Sequence, residues 1–130
     1  MNSDVRILIL DDERIVCDRL KPALEKLGYQ VEALTDSAAA VERLSKARVD
    51  VLVTDLKMPG VGGIDVLRFV RDQRMATKVV VISGFATAET AKEAMDLGAV
   101  AFLPKPFKMS QLRDLVVKLA GELRLAPSSQ

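Results

Sequence analysis

Val5-Arg6-Ile7-Leu8-Ile9-Leu10 is a short apolar run that ends on Asp11-Asp12-Glu13. A segment of this length, rich in branched aliphatic side chains, reads as a strand. Its near-continuous apolarity suits a strand covered on both faces of a parallel sheet. Four more runs follow: Gln30 to Leu34, Val49 to Thr54, Lys78 to Ile82 and Val100 to Leu103. The first of these alternates apolar and polar residues, as an edge strand should, whereas the other three resemble the opening run.

Stretches with helical spacing lie after each strand: Val16, Leu20, Leu24 and Leu27; Val41, Leu44 and Ala47; Ile64, Leu67 and Val70; Ala91, Ala94 and Met95; and Leu112, Leu115, Val116, Leu119 and Leu123. Each set makes one apolar stripe that a sheet can cover. Ser37 and Thr87 are placed as N-caps, and Gly28 and Gly98 as helix ends. Pro22 is discordant, because inside the first helix its ring and missing N–H predict a kink. Strand and helix alternate five times, which predicts a doubly wound α/β domain with helices on both faces of a parallel sheet.

With 130 residues the chain is long enough for one domain with a real core, and 49% of it is apolar. Nineteen Lys and Arg against eighteen Asp and Glu give a net charge of +1, which argues against direct nucleic-acid binding. The single Cys, Cys17, excludes an internal disulfide and fits a reducing, cytoplasmic setting. No apolar run approaches the length of a membrane span. The chain has no His, so catalytic triads, His-ligated zinc and imidazole bases are excluded. Chemistry must come from carboxylates, amines and hydroxyls.

Ligands of open parallel sheets bind beyond the carboxyl ends of the strands. There the sequence places Asp11 and Asp12 after the first strand, Asp55 after the third, Ser83 after the fourth, and Lys105 with Pro106 after the fifth. The second strand contributes nothing. Three aspartates in one crevice repel, by roughly 4 kcal/mol per pair at about 4 Å and an effective dielectric near 20. Either a raised carboxyl pKa or a hard divalent cation relieves this, and an oxygen-only donor set selects Mg²⁺ or Mn²⁺. One of the adjacent aspartates also suits a helix cap. A carboxylate nucleophile, a divalent metal, a Lys and a hydroxyl are the parts that phosphoryl transfer uses.

Four motifs at these strand ends resemble the receiver domain of two-component response regulators: Leu10-Asp11-Asp12-Glu13, Thr54-Asp55-Leu56-Lys57-Met58-Pro59-Gly60, Ile82-Ser83-Gly84 and Leu103-Pro104-Lys105-Pro106-Phe107. The likeness extends from about Val5 to Leu123. It implies a flavodoxin-like (βα)5 fold with a central five-stranded sheet in the order 2-1-3-4-5. It also implies that Asp55 accepts a phosphoryl group from a phosphohistidine of a sensor histidine kinase. Asp11, Asp12, Asp55 and the backbone carbonyl of Lys57 would hold Mg²⁺. Ser83, the N–H of Gly84, and Lys105 would contact the phosphoryl oxygens, with a cis Lys105-Pro106 bond aiming Lys105 inward. Ser83 and Phe102 would form the switch pair that alters the face of the fourth helix, fifth strand and fifth helix, a face through which family members frequently form homodimers. Lys57 and Phe85 would influence the lifetime of the acyl phosphate. Gly62 departs from the acidic or amide residue frequent there, which would loosen the loop after Asp55.

The resemblance therefore implies a switch that catalyses only its own phosphotransfer and dephosphorylation. The receiver would occupy residues 1–125, with 126–130 a polar tail or linker stub, and the output domain or partner is unspecified. Two rival functions use the same residue types. A small-molecule phosphohydrolase would need a cap domain and a second acid where Lys57 stands. A phosphorylation-independent interaction domain would keep the fold without binding Mg²⁺. A flavin-binding domain of similar topology is disfavoured, because the acidic crevice repels the flavin phosphate.

Overall fold

The computed structural model describes residues 4–56, 62–84 and 87–125, with side chains described through Leu123. Five strands, β1 (Arg6–Leu10), β2 (Gln30–Leu34), β3 (Val51–Asp55), β4 (Lys78–Ser83) and β5 (Ala101–Pro104), alternate with five helices. The helices are α1 (Arg14–Glu25), α2 (Ser37–Lys46), α3 (Gly63–Asp72), α4 (Ala88–Asp96) and α5 (Met109–Leu125). All pairings are parallel, in the order β2-β1-β3-β4-β5. The expected doubly wound sheet is present, and its edges are β2 and β5.

Successive residues of a strand face opposite sides of its sheet, and this splits the core in two. Ile7, Ile9, Val51, Val53, Val80 and Ile82 pack with Cys17, Leu20 and Leu24 of α1 and Leu112, Val116 and Leu119 of α5. Leu8, Leu10, Leu52, Val79 and Val81 pack on the other face with Ala40 and Leu44 of α2, Val66, Leu67 and Val70 of α3, and Ala94 of α4. Near-continuous strands are thus the sequence form of a sheet buried on both sides, each large side chain contributing about 1.5–3 kcal/mol.

Several expectations shift. Val5 and Val49 are buried but precede the paired strands, and β3, β4 and β5 extend to Asp55, Ser83 and Pro104. Backbone pairing does not stop where apolarity stops: Asp55 lies opposite Ile82, and Ser83 opposite Pro104. In β2 strict alternation gives way to four half-buried residues, because Val31 and Ala33 reach one core and Leu34 the other.

Asp36, not Ser37, caps α2 by accepting the Ala39 N–H at 3.1 Å, while Ser37 is buried as the first helical residue. A carboxylate at the helix N-terminus also gains from the helix dipole. Helix α1 continues three residues beyond Pro22, which sits exposed in its last turn. Gly28 and Gly98 take the positive φ values, 96° and 104°, that follow a helix end.

Helix α4 differs from its neighbours in how it is held. Ala94 is its one buried residue, while Met95, expected in the apolar stripe, is 47% exposed. Leu97 and Ala99, beyond the helix, take over that packing. Its start is closed locally as expected, Thr87 accepting the Thr90 N–H at 3.1 Å and Thr90 Oγ1 accepting the Thr87 N–H at 3.0 Å. No helix among the described residues is long and apolar enough to cross a membrane.

Candidate functional site

Register builds the site. Leu10 pairs with Thr54, so the next residues, Asp11 and Asp55, emerge level at neighbouring strand ends. The β4–β5 register sets Ser83 beside Pro104, and Lys105 follows directly. The backbone then ties the pieces together: Asp11 N–H donates to the Leu34 carbonyl at 3.1 Å, and Lys105 N–H donates to the Ser83 carbonyl at 2.8 Å. Strand β2, which the sequence left without a role here, thus anchors Asp11 through its last carbonyl.

The side chains converge on one amine. Lys105 Nζ donates to Asp11 Oδ2 at 2.7 Å, Asp55 Oδ2 at 3.2 Å and Glu13 Oε1 at 3.2 Å. Asp11 and Ser83 are fully buried and Asp55 nearly so, while Asp12 and Glu13 are exposed. Asp11 Oδ1 also accepts the Glu13 N–H at 2.9 Å, closing a small turn before α1. Beneath it, Cys17 Sγ donates to the Asp11 carbonyl at 3.5 Å.

Burial pushes the Asp11 carboxyl above its usual range, although the Lys105 hydrogen bond, the Glu13 N–H and the Lys105 charge pull the other way. Burial by itself would lower the Lys105 amine; the hydrogen bond and charge of Asp11, with Asp55 and Glu13, outweigh it and hold Lys105 above its ordinary value. Burial likewise raises the Cys17 thiol, helped by the Asp11 charge, so Cys17 is a packed core residue rather than a nucleophile.

Asp11, Asp12 and Asp55 each present a carboxylate oxygen within 4.8 Å of the others. All three donors are oxygens, which fits a hard cation such as Mg²⁺ better than a borderline or soft one. The half-buried Lys105 amine, shared among Asp11, Asp55 and Glu13, already brings one positive charge to this cluster. Ser83 lies buried at the adjacent strand end, and the neighbouring Gly84 is exposed. Phe102, on β5 opposite Val81, is half-buried against the second core. The Lys105-Pro106 peptide bond is cis, as the resemblance implied. Lys57 and Phe85, together with the tail 126–130, lie outside the described residues.

Two contributors were missed from sequence. Glu13 was read only as part of a motif, and its approach to Lys105 could have been sought from its place two residues after Asp11, where an Asx turn folds the chain back. Gly63 is buried, and a Cβ there would overlap the backbone of Asp55 and Leu56. The start of α3 can therefore lie against the end of β3 only because Gly63 has no side chain. Gly62, in turn, is the N-cap of α3, its N–H held by Asp65 Oδ2 at 3.2 Å.

The family model for the response regulator receiver domain matches residues 7–117. The chain is 33% identical over 108 residues to the transcriptional regulatory protein CutR of Streptomyces coelicolor, covering 83% of this chain and 50% of that protein. It spans about half the length of that relative. Among solved structures, the receiver domain of the Francisella response regulator 1452 aligns with a TM-score of 0.87 at 27% identity, covering 92% of this chain and 98% of that one. The beryllofluoride-activated NtrC4 receiver domain dimer aligns with a TM-score of 0.84 at 28% identity, covering 90% and 97%.

Proposed function

The chain belongs to the response regulator receiver domain family, and from that premise we propose that it is a signalling switch thrown by phosphorylation of Asp55. The donor is a phosphohistidine on a sensor histidine kinase. An Asp55 carboxylate oxygen forms a bond to phosphorus as the phosphorus–nitrogen bond of the donor breaks, and the imidazole leaves with a proton from solvent. The product is an acyl phosphate, which water later cleaves at the phosphorus–oxygen bond to restore the carboxylate and release inorganic phosphate.

The observation that carries this reading is the nearly buried Asp55, 3.2 Å from Lys105 and clustered with two further aspartates. Mg²⁺, held by Asp11, Asp12, Asp55 and the Lys57 carbonyl, would supply charge neutralisation for the phosphoryl oxygens. Lys105, Ser83 and the Gly84 N–H contact those oxygens. Ser83 then draws toward the phosphoryl group and Phe102 turns into the vacated space, changing the α4-β5-α5 face presented to an output domain, a partner or a second copy. Residues 1–125 constitute this receiver, and 126–130 a polar tail or linker.

Intact-mass measurement after incubation with Mg²⁺ and acetyl phosphate tests the reading. A gain of one phosphoryl group is expected in the wild type and not in Asp55→Asn. No gain in either, with no binding of beryllofluoride, would instead support an interaction domain that works without phosphorylation.

A further inference from the structure

We propose that Glu13 is a positioning residue that holds Lys105 back from an incoming phosphoryl group, an inference that rests on the phosphoryl-switch reading above. An ammonium has three hydrogens to donate, and Lys105 has three carboxylate acceptors, on Asp11, Asp55 and Glu13. To engage a phosphoryl oxygen it must exchange one of them.

The three are not equally easy to release. Asp11 is fully buried and has the shortest contact, 2.7 Å, so water cannot take the place of the amine there. Asp55 carries the phosphoryl group itself, and its contact to Lys105 keeps the amine beside the new oxygens. Glu13 is 59% exposed at its side chain and 3.2 Å from Nζ. Water can solvate it once the amine leaves. The exchange therefore falls on Glu13, whose carboxylate competes with the phosphoryl oxygens for the same N–H. Among the described residues the hydrogen-bond partner of the Glu13 carboxylate is Lys105, through which it acts. Its side chain makes no capping bond to α1, so replacing it leaves the start of that helix intact.

Beryllofluoride, which mimics a phosphoryl group, is titrated by calorimetry into wild type, Glu13→Ala and Glu13→Asp, each at saturating Mg²⁺. Glu13→Ala is expected to bind about threefold tighter, the scale of one partly exposed ion pair. Glu13→Asp, one methylene short of the amine, should match it. In both variants the Lys105 ammonium resonance should shift in NMR spectra before any ligand is added. Unchanged or weaker binding in Glu13→Ala overturns the proposal. So does Glu13→Asp behaving as wild type, because the effect would then be repulsion of the anion by a nearby charge. A wild type that takes up no beryllofluoride at all defeats the phosphoryl-switch reading itself, whereas uptake that is equal in all three proteins defeats only the role of Glu13.

Discussion

At the amino ends of the strands, Asp50 receives the Arg6 N–H on its side chain and donates its own N–H to the Arg6 carbonyl, both at 2.8 Å. The Asp50 carbonyl then accepts the Lys78 N–H at 2.9 Å, Arg48 lies 3.6 Å from its carboxylate, and Thr77 Oγ1 donates to the Val49 carbonyl at 2.7 Å. At the carboxyl ends of the same sheet, Asp11, Glu13 and Asp55 gather round Lys105, and Asp12 lies near the other two aspartates. One end uses its charges to close the backbone of β1, β3 and β4. The other concentrates like charge around a single ammonium. A single sheet thus separates the charges that close its backbone from those proposed to meet a ligand.

The contrast is sharpest where a crevice residue can be removed without harm to the fold. Asp12→Asn should weaken Mg²⁺ binding by about 100-fold, at the upper end of what even outer-shell changes cost a metal site. Because Asp12 is exposed and repelled by its neighbours, the melting temperature of the metal-free protein should hold steady or rise. A fall in that temperature, with Mg²⁺ affinity retained, would erase the distinction between the two ends.

Gly63→Ala probes the place where function and packing meet. The added methyl overlaps the Asp55 backbone, so denaturant titration should show a loss of about 2 kcal/mol, on the scale of overpacking. Phosphoryl uptake from acetyl phosphate should fall as well. Stability lost with uptake unchanged would mean that the β3–α3 contact serves packing alone.

The smallest change is expected at the amino end. Asp50→Ala should cost about 1.5 kcal/mol through the lost acceptor for the Arg6 N–H. Its Mg²⁺ affinity should match that of the wild type, since the substitution lies at the opposite end of the strands. A shift in Mg²⁺ affinity would show that the two ends communicate through the sheet.

Much of this arrangement could be read from sequence, because parallel strands write their function at one end. Asp11, Asp55, Ser83 and Lys105 each follow an apolar run, and a common strand direction is enough to bring them together. Other features depend on tertiary distance and leave no periodic trace. The contact between Glu13 and Lys105 joins residues 92 positions apart and rests on side-chain reach. Asp36 and Ser37 are adjacent and both competent to cap, so composition alone could not choose between them. Met95 fits a helical stripe, but Leu97 and Ala99 in the following turn already fill the core there. Gly63 is set by how closely α3 approaches β3, a spacing that no single segment encodes.

Helix α4 keeps its shape by its own means: reciprocal Thr87 and Thr90 bonds at its start and a Lys92–Asp96 pair at 2.7 Å along its side. Its hold on the sheet is slight, with Ala94 as the one buried anchor. In mechanical terms α4 is a key with a single tooth, Ala94, so a re-seating against β5 would have few buried contacts of the helix to break.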